Sequence, residues 1–426
     1  MRRSTRRALT SAALVALAGA GSGCPRPRAP AGPAVAGDAE FRVGLVVGVP
    51  KVLLGGAGGG ELLVNTMAGE PIGTIPAGAQ WSVLADTGGL ARFVLVRHDG
   101  SRAGPYSAIA ATNVTENRLA VANGRRYRGR LQVTAARTGL TLVNRVDLES
   151  YVAGVVSPEI GPRRANEEAA VFAQAVVSRT FAVRNRGRWA TLGFDAYDDV
   201  RDQVYNGVAA ETPQAWKAVR ETAGQVLRYD GAPIDAFFHS TCGFSTAAVE
   251  EAFATARARP YLRAVSDARG GGGGNFYCDI SPRFRWHEEW DASTLRAILT
   301  RTLPALMPIG GDGLQRITGV EVTRTTRSGR VGELRIIFER GDVRIPGPQV
   351  RTILRPDPDR LLHSGAFQLT VETHGGQVSR LVAAGAGSGH GVGMCQWGAI
   401  GRARAGQSYR AILTTYFPGT KIERIY

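Results

Sequence analysis

The sequence of 426 residues is long enough for two or three domains, and a hydrophobic content of 44% supports a sizeable core, which excludes a largely disordered chain. The formal net charge of +16 comes almost entirely from arginines scattered along the chain. Such a charge suits binding to an anionic partner. The alternative explanation for the many arginines is the codon usage of a GC-rich genome. Since no motif of the known nucleic-acid-binding modules is found, we expect no nucleic-acid partner.

The first 24 residues resemble a bacterial export signal. Arginines at the start precede an apolar stretch, residues 8–20, that is too short for a stable membrane anchor. The stretch ends in AGSGC, so that Cys24 follows small residues as in a lipobox, although Gly21 replaces the more usual leucine. We therefore expect acylation of Cys24 and a lipoprotein of the periplasm or cell envelope, tethered to a membrane. An ordinary signal peptide that is cleaved elsewhere is the alternative.

The mature chain is predicted to begin with a tether and a β-rich region. Residues 25–40 are rich in proline and alanine, as in a linker. Between residues 41 and 112, apolar and polar residues alternate between glycine-rich turns, which is typical of short strands. Residues 113–426 are assigned to a second, larger domain.

A helical period replaces this alternation between residues 166 and 186, where the apolar spacing predicts a largely buried helix with Asn166 as its N-cap. Gln174 and Arg179 are polar groups on this internal helix, so each needs a partner or a wet cleft nearby. The segregated helices and strands predict an α+β fold. Further predicted elements are a helix over 212–222, a hairpin over 224–243, strands over 317–347 and a short helix over 406–417.

One carboxylate stands alone in the sequence GVVSPEIGP, residues 154–162. Glu159 lies there between a proline and an isoleucine, in a stretch that we interpret as a stiff apolar turn. A glutamate in water has a pKa of about 4.3, and burial raises that value. At a pKa of about 6 the carboxyl would supply a proton to a leaving oxygen as a general acid. An exposed loop glutamate is the alternative interpretation.

The surrounding segment, NRVDLESYVAGVVSPEIGPRRANEEAAVFAQAVVSRTFAV, resembles the signature of the SpoIID/LytB family, named for stage II sporulation protein D. The similarity continues in order through DQVYNG, AFFHSTCG, PYLRAV and SGHGVGMCQWGAIGRARAGQSYRAILTTYFPGTKI. It covers roughly residues 117–425, and several ordered motifs over that length are far more specific than any one pattern.

The resemblance implies a role in peptidoglycan metabolism. It suggests a lytic transglycosylase with Glu159 as the catalytic acid, cleaving MurNAc-GlcNAc strands to 1,6-anhydro-MurNAc ends. One carboxylate suffices for this reaction because the sugar's own C6 hydroxyl attacks the anomeric carbon. Asp198, Asp199 or Asp202 could supply the second carboxylate that ordinary hydrolysis needs. The LytB side of the family implies another function, a non-catalytic wall-binding protein that enhances an amidase.

The same resemblance assigns residues to a substrate cleft. The segment GSGHGVGMCQWG is expected there, with His390, Gly391 and Gln396 contacting the glycan through side-chain and backbone groups. A tight turn with a satisfied histidine is the alternative. Gln203 and Tyr205 are expected to contact the substrate or to pack internally. Gln174 and Arg179 are expected either to contact the substrate or to hold the Glu159 segment.

No cofactor is required by this chemistry, but the cysteines raise the question of a metal. Sporulation relatives bind zinc through His and Cys near the position of His239 and Cys242, although a further His-Cys pair is missing here. A disulfide between Cys242 and Cys278 is the simpler interpretation for an exported protein. Zinc and free thiols are the alternatives. Cys395 is interpreted as a small packed side chain.

Overall fold

The computed structural model describes residues 40–86, 88–115, 118–270, 274–308 and 314–426. The export signal, Cys24 and the linker up to residue 39 lie outside these ranges and remain predictions. The described chain forms two compact units. The N-terminal unit comprises residues up to 164, residues 174–235 and residues 422–426, and the C-terminal unit comprises residues 165–173 and 236–421.

The N-terminal unit is built mainly from antiparallel sheets. Its strands in chain order are β1 (Phe41–Val49), β2 (Lys51–Gly55), β3 (Leu62–Thr66), β4 (Pro71–Ile75), β5 (Gln80–Ala85), β6 (Phe93–Val96), β7 (Arg102–Tyr106), β8 (Ala108–Asn113), β9 (Ala120–Ala122), β10 (Arg125–Tyr127), β11 (Arg130–Ala136), β12 (Gly139–Val146), β13 (Ala196–Tyr197), β14 (Gln225–Tyr229) and β15 (Ala232–Pro233). One sheet has the order β13-β1-β12-β11-β8-β3-β4, and another has the order β10-β9-β2-β5-β6-β7.

Alternation of apolar and polar residues explains these strands, because every second side chain points into the core. In β11, for example, Leu131 and Val133 are buried while their neighbours are partly exposed. β8 pairs with β3 on one side and with β11 on the other. Strands before and after residue 112 therefore share a sheet, and the predicted domain boundary runs through it.

The helices of this unit are α1 (Leu148–Ile160), the second part of α2 (Glu168–Arg184) and α3 (Pro213–Glu221). Asp147 caps α1 by accepting a hydrogen bond from the Ser150 N–H at 2.8 Å. The interpretation of the GVVSPEIGP stretch as a turn is therefore wrong, because most of it forms the end of α1. Asn166 lies in a 3-10 turn before α2 and is not its N-cap.

The C-terminal unit combines smaller sheets with short helices. Its strands are β16 (Phe238–His239), β17 (Arg285–Asp291), β18 (Ile317–Thr325), β19 (Val331–Phe338), β20 (Asp342–Pro346), β21 (Phe367–His374), β22 (Gln377–Ala386) and β23 (Met394–Cys395), and its helices are α4 (Val249–Ala252), α5 (Ala292–Thr302), α6 (Gly347–Ile353), α7 (Gln396–Arg404) and α8 (Tyr409–Tyr416). The sheets have the orders β16-β23, β17-β22-β21 and β18-β19-β20. A core around Trp290, Leu299, Leu334 and Leu381 joins the two larger sheets to α5 and α6.

β24 (Lys421–Arg424) ends the chain beside β14 in the sheet order β15-β14-β24. The hairpin of β14 and β15, the strands over 317–347 and the helices at 212–222 and 406–417 confirm the predicted elements. The predicted α+β class is also confirmed, with 25% helix and 38% strand. Within the described ranges, no helix has the length and apolar character needed to cross a membrane.

Candidate active site

Glu159 lies in the last turn of α1, and two neighbouring residues determine what packs against that turn. Pro158 has no N–H, so the Gly154 carbonyl loses its partner within the helix. The Asn206 N–H takes that place at 3.4 Å. A Cβ on Gly154 would lie 2.4 Å from Cε2 of Tyr205, so only glycine permits this approach. Pro158 and Gly154 thus allow the 203–207 segment to dock on the helix that carries the acid.

The Glu159 carboxyl is held by that docked segment. The Val204 N–H donates a hydrogen bond to Oε1 of Glu159 at 2.9 Å. Burial raises the pKa of Glu159 to about 7, against the opposing effect of the Val204 hydrogen bond. About half of such carboxyls carry a proton at pH 7, so the group can both give and take one. As a whole residue, Glu159 is partly buried.

Val204 lies between two residues for which the sequence left open either substrate contact or internal packing, Gln203 and Tyr205. Gln203 is 0% exposed and accepts a hydrogen bond from the Tyr151 hydroxyl at 3.1 Å. Tyr205 is 2% exposed and donates its hydroxyl hydrogen to Asn144 Oδ1 at 2.8 Å. Burial favours the second of the two predicted roles, internal packing, in which these side chains flank and position the Val204 N–H.

Gln174 and Arg179 are also inside the protein. Both are 0% exposed, and Gln174 Nε2 donates to Ser178 Oγ at 3.1 Å. Arg179 is bidentate to Glu149 and bonds also to the hydroxyl of Thr222. Of the two roles that the sequence left open, direct substrate contact is wrong for this structure, because an internal helix face presents these groups only to protein.

The three aspartates that could serve as a second carboxylate differ in their surroundings. Asp199 is tied to exposed Arg201 at 2.6 Å. Asp202 accepts a hydrogen bond from Trp189 Nε1 at 2.7 Å. Burial, together with the neighbouring Asp199, raises the pKa of Asp198 to about 6. Burial raises the pKa of Asp202 as well, so the direction of the pKa shift does not single out one of these two aspartates.

The glycines of the 387–393 segment serve backbone packing. β23 runs parallel to β16, with Phe238 opposite Met394. A Cβ on Gly393 would lie 2.1 Å from the Phe237 carbonyl oxygen, and one on Gly387 would lie 2.5 Å from the Thr241 carbonyl oxygen. The sequence predicted that this glycine-rich backbone would contact a glycan. At Gly387 and Gly393 the backbone of a neighbouring segment of the same chain fills the space that a side chain would need.

His390 uses both ring nitrogens within the protein. Its Nε2 donates to the Phe238 carbonyl at 2.9 Å, and its Nδ1 accepts from the Val392 N–H at 3.0 Å, which fixes the neutral tautomer. Burial and nearby His239 lower the pKa of His390 well below its usual value. Because both ring nitrogens have partners within the protein, the arrangement favours the alternative, a satisfied histidine in a tight turn, and contact of His390 with a glycan stays a prediction.

The remaining predicted contacts lie beside this histidine. Gly391 packs on Arg330, where a Cβ would lie 2.7 Å from the guanidinium Nε, and its carbonyl accepts the Ala247 N–H at 2.7 Å. Gln396 begins α7 and is 9% exposed. Trp397 is partly exposed.

The cysteines do not form the predicted disulfide. The Sγ atoms of Cys242 and Cys278 lie 3.5 Å apart, whereas a bond requires about 2.05 Å. His239 is directed elsewhere, with Nδ1 bonded to the Val392 carbonyl at 3.1 Å. Among the described residues, the group that could bind a metal brings Cys395 and Asp267 together with these two cysteines and omits His239. No sequence motif pointed to Asp267.

The last turn of α1 carries a carboxyl whose pKa is raised to about 7 by burial. This site makes the α+β protein a candidate for acid-base chemistry. The family model described as Stage II sporulation protein, SpoIID, matches residues 136–229, which include Glu159. A model of a domain of unknown function matches residues 274–393. The chain belongs to the SpoIID/LytB family.

Similar proteins come from two bacterial genera. An uncharacterised protein of Brachyspira hyodysenteriae is 30% identical over 301 residues, which cover 70% of this chain and 73% of that protein. Stage II sporulation protein D of Bacillus subtilis is 29% identical over 325 residues, covering 68% of this chain and 79% of that protein. The amidase enhancer of Bacillus subtilis is 28% identical over 275 residues, covering 59% of this chain but 38% of its own length.

Proposed function

We propose that this protein is a lytic transglycosylase that cleaves the MurNAc-GlcNAc strands of peptidoglycan. The observation that carries the proposal is the carboxyl of Glu159, whose pKa is raised to about 7 and whose Oε1 is bonded to the Val204 N–H. Export and acylation of Cys24 form part of the proposal, since peptidoglycan lies outside the cytoplasm. The basic chain, with a formal charge of +16, suits an anionic envelope.

The proposed reaction requires one acid-base group and no cofactor. Protonated Glu159 donates its proton to the oxygen that links MurNAc C1 to GlcNAc, and the C1–O bond breaks. The Val204 N–H stabilises the carboxylate that remains. The C6 hydroxyl of the same MurNAc attacks C1, and Glu159 takes the hydroxyl proton. The products are a GlcNAc hydroxyl end and a 1,6-anhydro-MurNAc end, and Glu159 regains its starting form without consuming water.

The second candidate is a non-catalytic protein that binds the wall and enhances a cell-wall amidase. The similarity to the amidase enhancer favours it, at nearly the identity found for the sporulation protein. The buried state of Gln203 and Tyr205 suits either function, because a rigid segment at Glu159 could bind glycan without cleaving it.

Digestion of purified peptidoglycan separates the two candidates. The mature protein, its Glu159→Gln variant and a Glu221→Gln control are incubated with intact and with peptide-stripped wall. The control changes an exposed glutamate of α3, in the same unit as Glu159. Mass spectrometry of the soluble fragments should find anhydro ends with the parent and the control, and none with Glu159→Gln. Binding without fragments by all three proteins would instead support the amidase enhancer.

Water labelled with ¹⁸O distinguishes the two cleavage reactions. Transglycosylation leaves the new MurNAc end unlabelled, because the C6 oxygen forms the new bond. Hydrolysis would place the label on that end and would require a second carboxylate, for which Asp198 is a candidate. An Asp198→Asn variant that loses label incorporation would then replace the proposed mechanism with a hydrolytic one.

A further inference from the structure

Four buried side chains from distant parts of the sequence meet inside the C-terminal unit. They are the thiols of Cys242, Cys278 and Cys395 and the carboxylate of Asp267, and their ligand atoms all lie within 4.8 Å of one another. In a tetrahedral site with Zn–S bonds of about 2.3 Å, two sulfurs are separated by roughly 3.8 Å. The 3.5 Å between Cys242 Sγ and Cys278 Sγ is close to that separation and far longer than a disulfide bond.

The two carboxylate oxygens of Asp267 differ in their hydrogen bonds. Its Oδ1 accepts hydrogen bonds from the Tyr416 hydroxyl at 2.7 Å and from Arg402 Nη2 at 3.2 Å. Its Oδ2 is buried and has no hydrogen-bond partner among the described residues. A buried polar atom without a partner is costly, and a metal ion would satisfy it. The bonds to Oδ1 are of the kind that orient a metal-binding carboxylate from its far side.

The surroundings of Cys395 favour a thiolate. Its Sγ accepts the backbone N–H groups of Cys242 and Gly398, each at 3.2 Å. Such hydrogen bonds stabilise negative sulfur in metal sites. Gly398 also makes room for the carboxylate, because a Cβ there would lie 2.7 Å from Asp267 Oδ2.

Two buried arginines balance the charge that such a cluster would carry. Arg402 binds the carboxylate of Asp267, and Arg330 Nη2 bonds to the Cys242 carbonyl at 3.3 Å. Three thiolates and one carboxylate exceed the charge of a divalent ion by two, and these guanidinium groups supply two positive charges. A disulfide would use two of the thiols and leave the third, together with Asp267, unexplained.

We propose that Cys242, Cys278, Cys395 and Asp267 bind one structural zinc ion. Thiolate sulfur and carboxylate oxygen are ordinary zinc ligands, and four protein ligands close the coordination shell, so the ion has no open position for substrate. The ion would join the end of β16, the 3-10 turn over 277–280 and the junction of β23 and α7. This role is independent of the reaction at Glu159.

Metal analysis of the full mature protein tests the site. Elemental mass spectrometry of protein purified without chelator should find about one zinc per chain. Cys395→Ser and Cys278→Ser should lose it. The matched control is His239→Gln, which alters the histidine that sequence motifs suggest as a ligand and should keep the metal. Zinc retained by Cys395→Ser, or lost by His239→Gln, would overturn this ligand set.

A cobalt experiment covers the case in which the cysteine variants fail to fold. Exchange of the metal in the parent protein for Co²⁺ should give thiolate-to-cobalt charge-transfer absorption and the visible bands of a tetrahedral site. Folded parent protein that binds neither metal, or that yields a Cys242–Cys278 disulfide peptide after non-reducing digestion, would disprove the proposal. Neither readout depends on peptidoglycan cleavage.

Discussion

The guanidinium of Arg179 and the carboxylate of Glu149 form a bidentate pair, with nitrogen-oxygen distances of 2.9 and 2.6 Å. Arg179 is fully buried on α2, and Glu149 lies in the first turn of α1. Glu149 also accepts the Gly224 N–H at 3.0 Å and the hydroxyl of Tyr426. The pair therefore fixes the beginning of the helix whose last turn carries Glu159.

Removing the cation of this pair should be strongly destabilising. In Arg179→Met, Glu149 keeps its partly buried charge without its main partner, and we expect the free energy of unfolding to fall by about 3–5 kcal/mol. Urea denaturation measures the change. Arg201→Met is the control, because Arg201 forms an exposed pair with Asp199 and should change stability by about 1 kcal/mol or less. Equal effects in the two variants would contradict the structural role of Arg179.

Glu159 should make the protein less stable at higher pH. Its folded pKa of about 7 lies above the ordinary value for a glutamate, so the folded state binds more protons between these two values and stability falls as the pH rises through them. Glu159→Gln lacks this penalty. The variant should exceed the parent in unfolding free energy by up to roughly 3 kcal/mol at about pH 8, and match it near pH 4. A difference that does not depend on pH would show that the carboxyl titrates normally.

Activity should depend on the acid form of the same carboxyl. As the pH rises above the pKa of about 7, fewer molecules hold the proton that the glycosidic oxygen needs, so kcat/KM for glycan cleavage should decline about tenfold per pH unit. Rates of release of anhydro ends, followed across the pH range, give the profile. A rate that stays constant to about pH 9 would exclude Glu159 as the acid.

Gly154→Ala should disturb both packing and catalysis. The added methyl group meets the Tyr205 ring, and overpacking of this kind typically costs about 1–3 kcal/mol. The shift of the 203–207 segment would also weaken the bond from the Val204 N–H to Glu159, so cleavage should slow. Denaturation and digestion measure the two effects.

Gly365→Ala is the matched control for that substitution, because a Cβ there meets no atom within 4 Å and the backbone is not in the left-handed region. It should leave both stability and cleavage nearly unchanged. If Gly154→Ala behaves like this control, the close approach of Tyr205 is not what positions the segment.

Local patterns predicted much of the secondary structure. Alternating residues identified strands such as β3 and β11, and the helical period identified α2, because both signals come from neighbouring residues along the chain. The same reasoning mistook the end of α1 for a turn. A proline usually breaks a helix, but the Asn206 N–H, far along the chain, donates a hydrogen bond to the Gly154 carbonyl that Pro158 leaves without its helical partner.

The sequence by itself determined the family and the α+β class, and it pointed to Glu159 as the candidate acid, since each inference rests on residue types in a fixed order. Tertiary structure alone decided what the other polar residues do. Gln203, Tyr205 and Arg179 have the same chemical groups whether they bind a sugar or the protein, and burial selects the second role. Asp267 joins three cysteines only because the folded chain brings distant segments within a few ångströms, a proximity that spacing along the sequence does not encode.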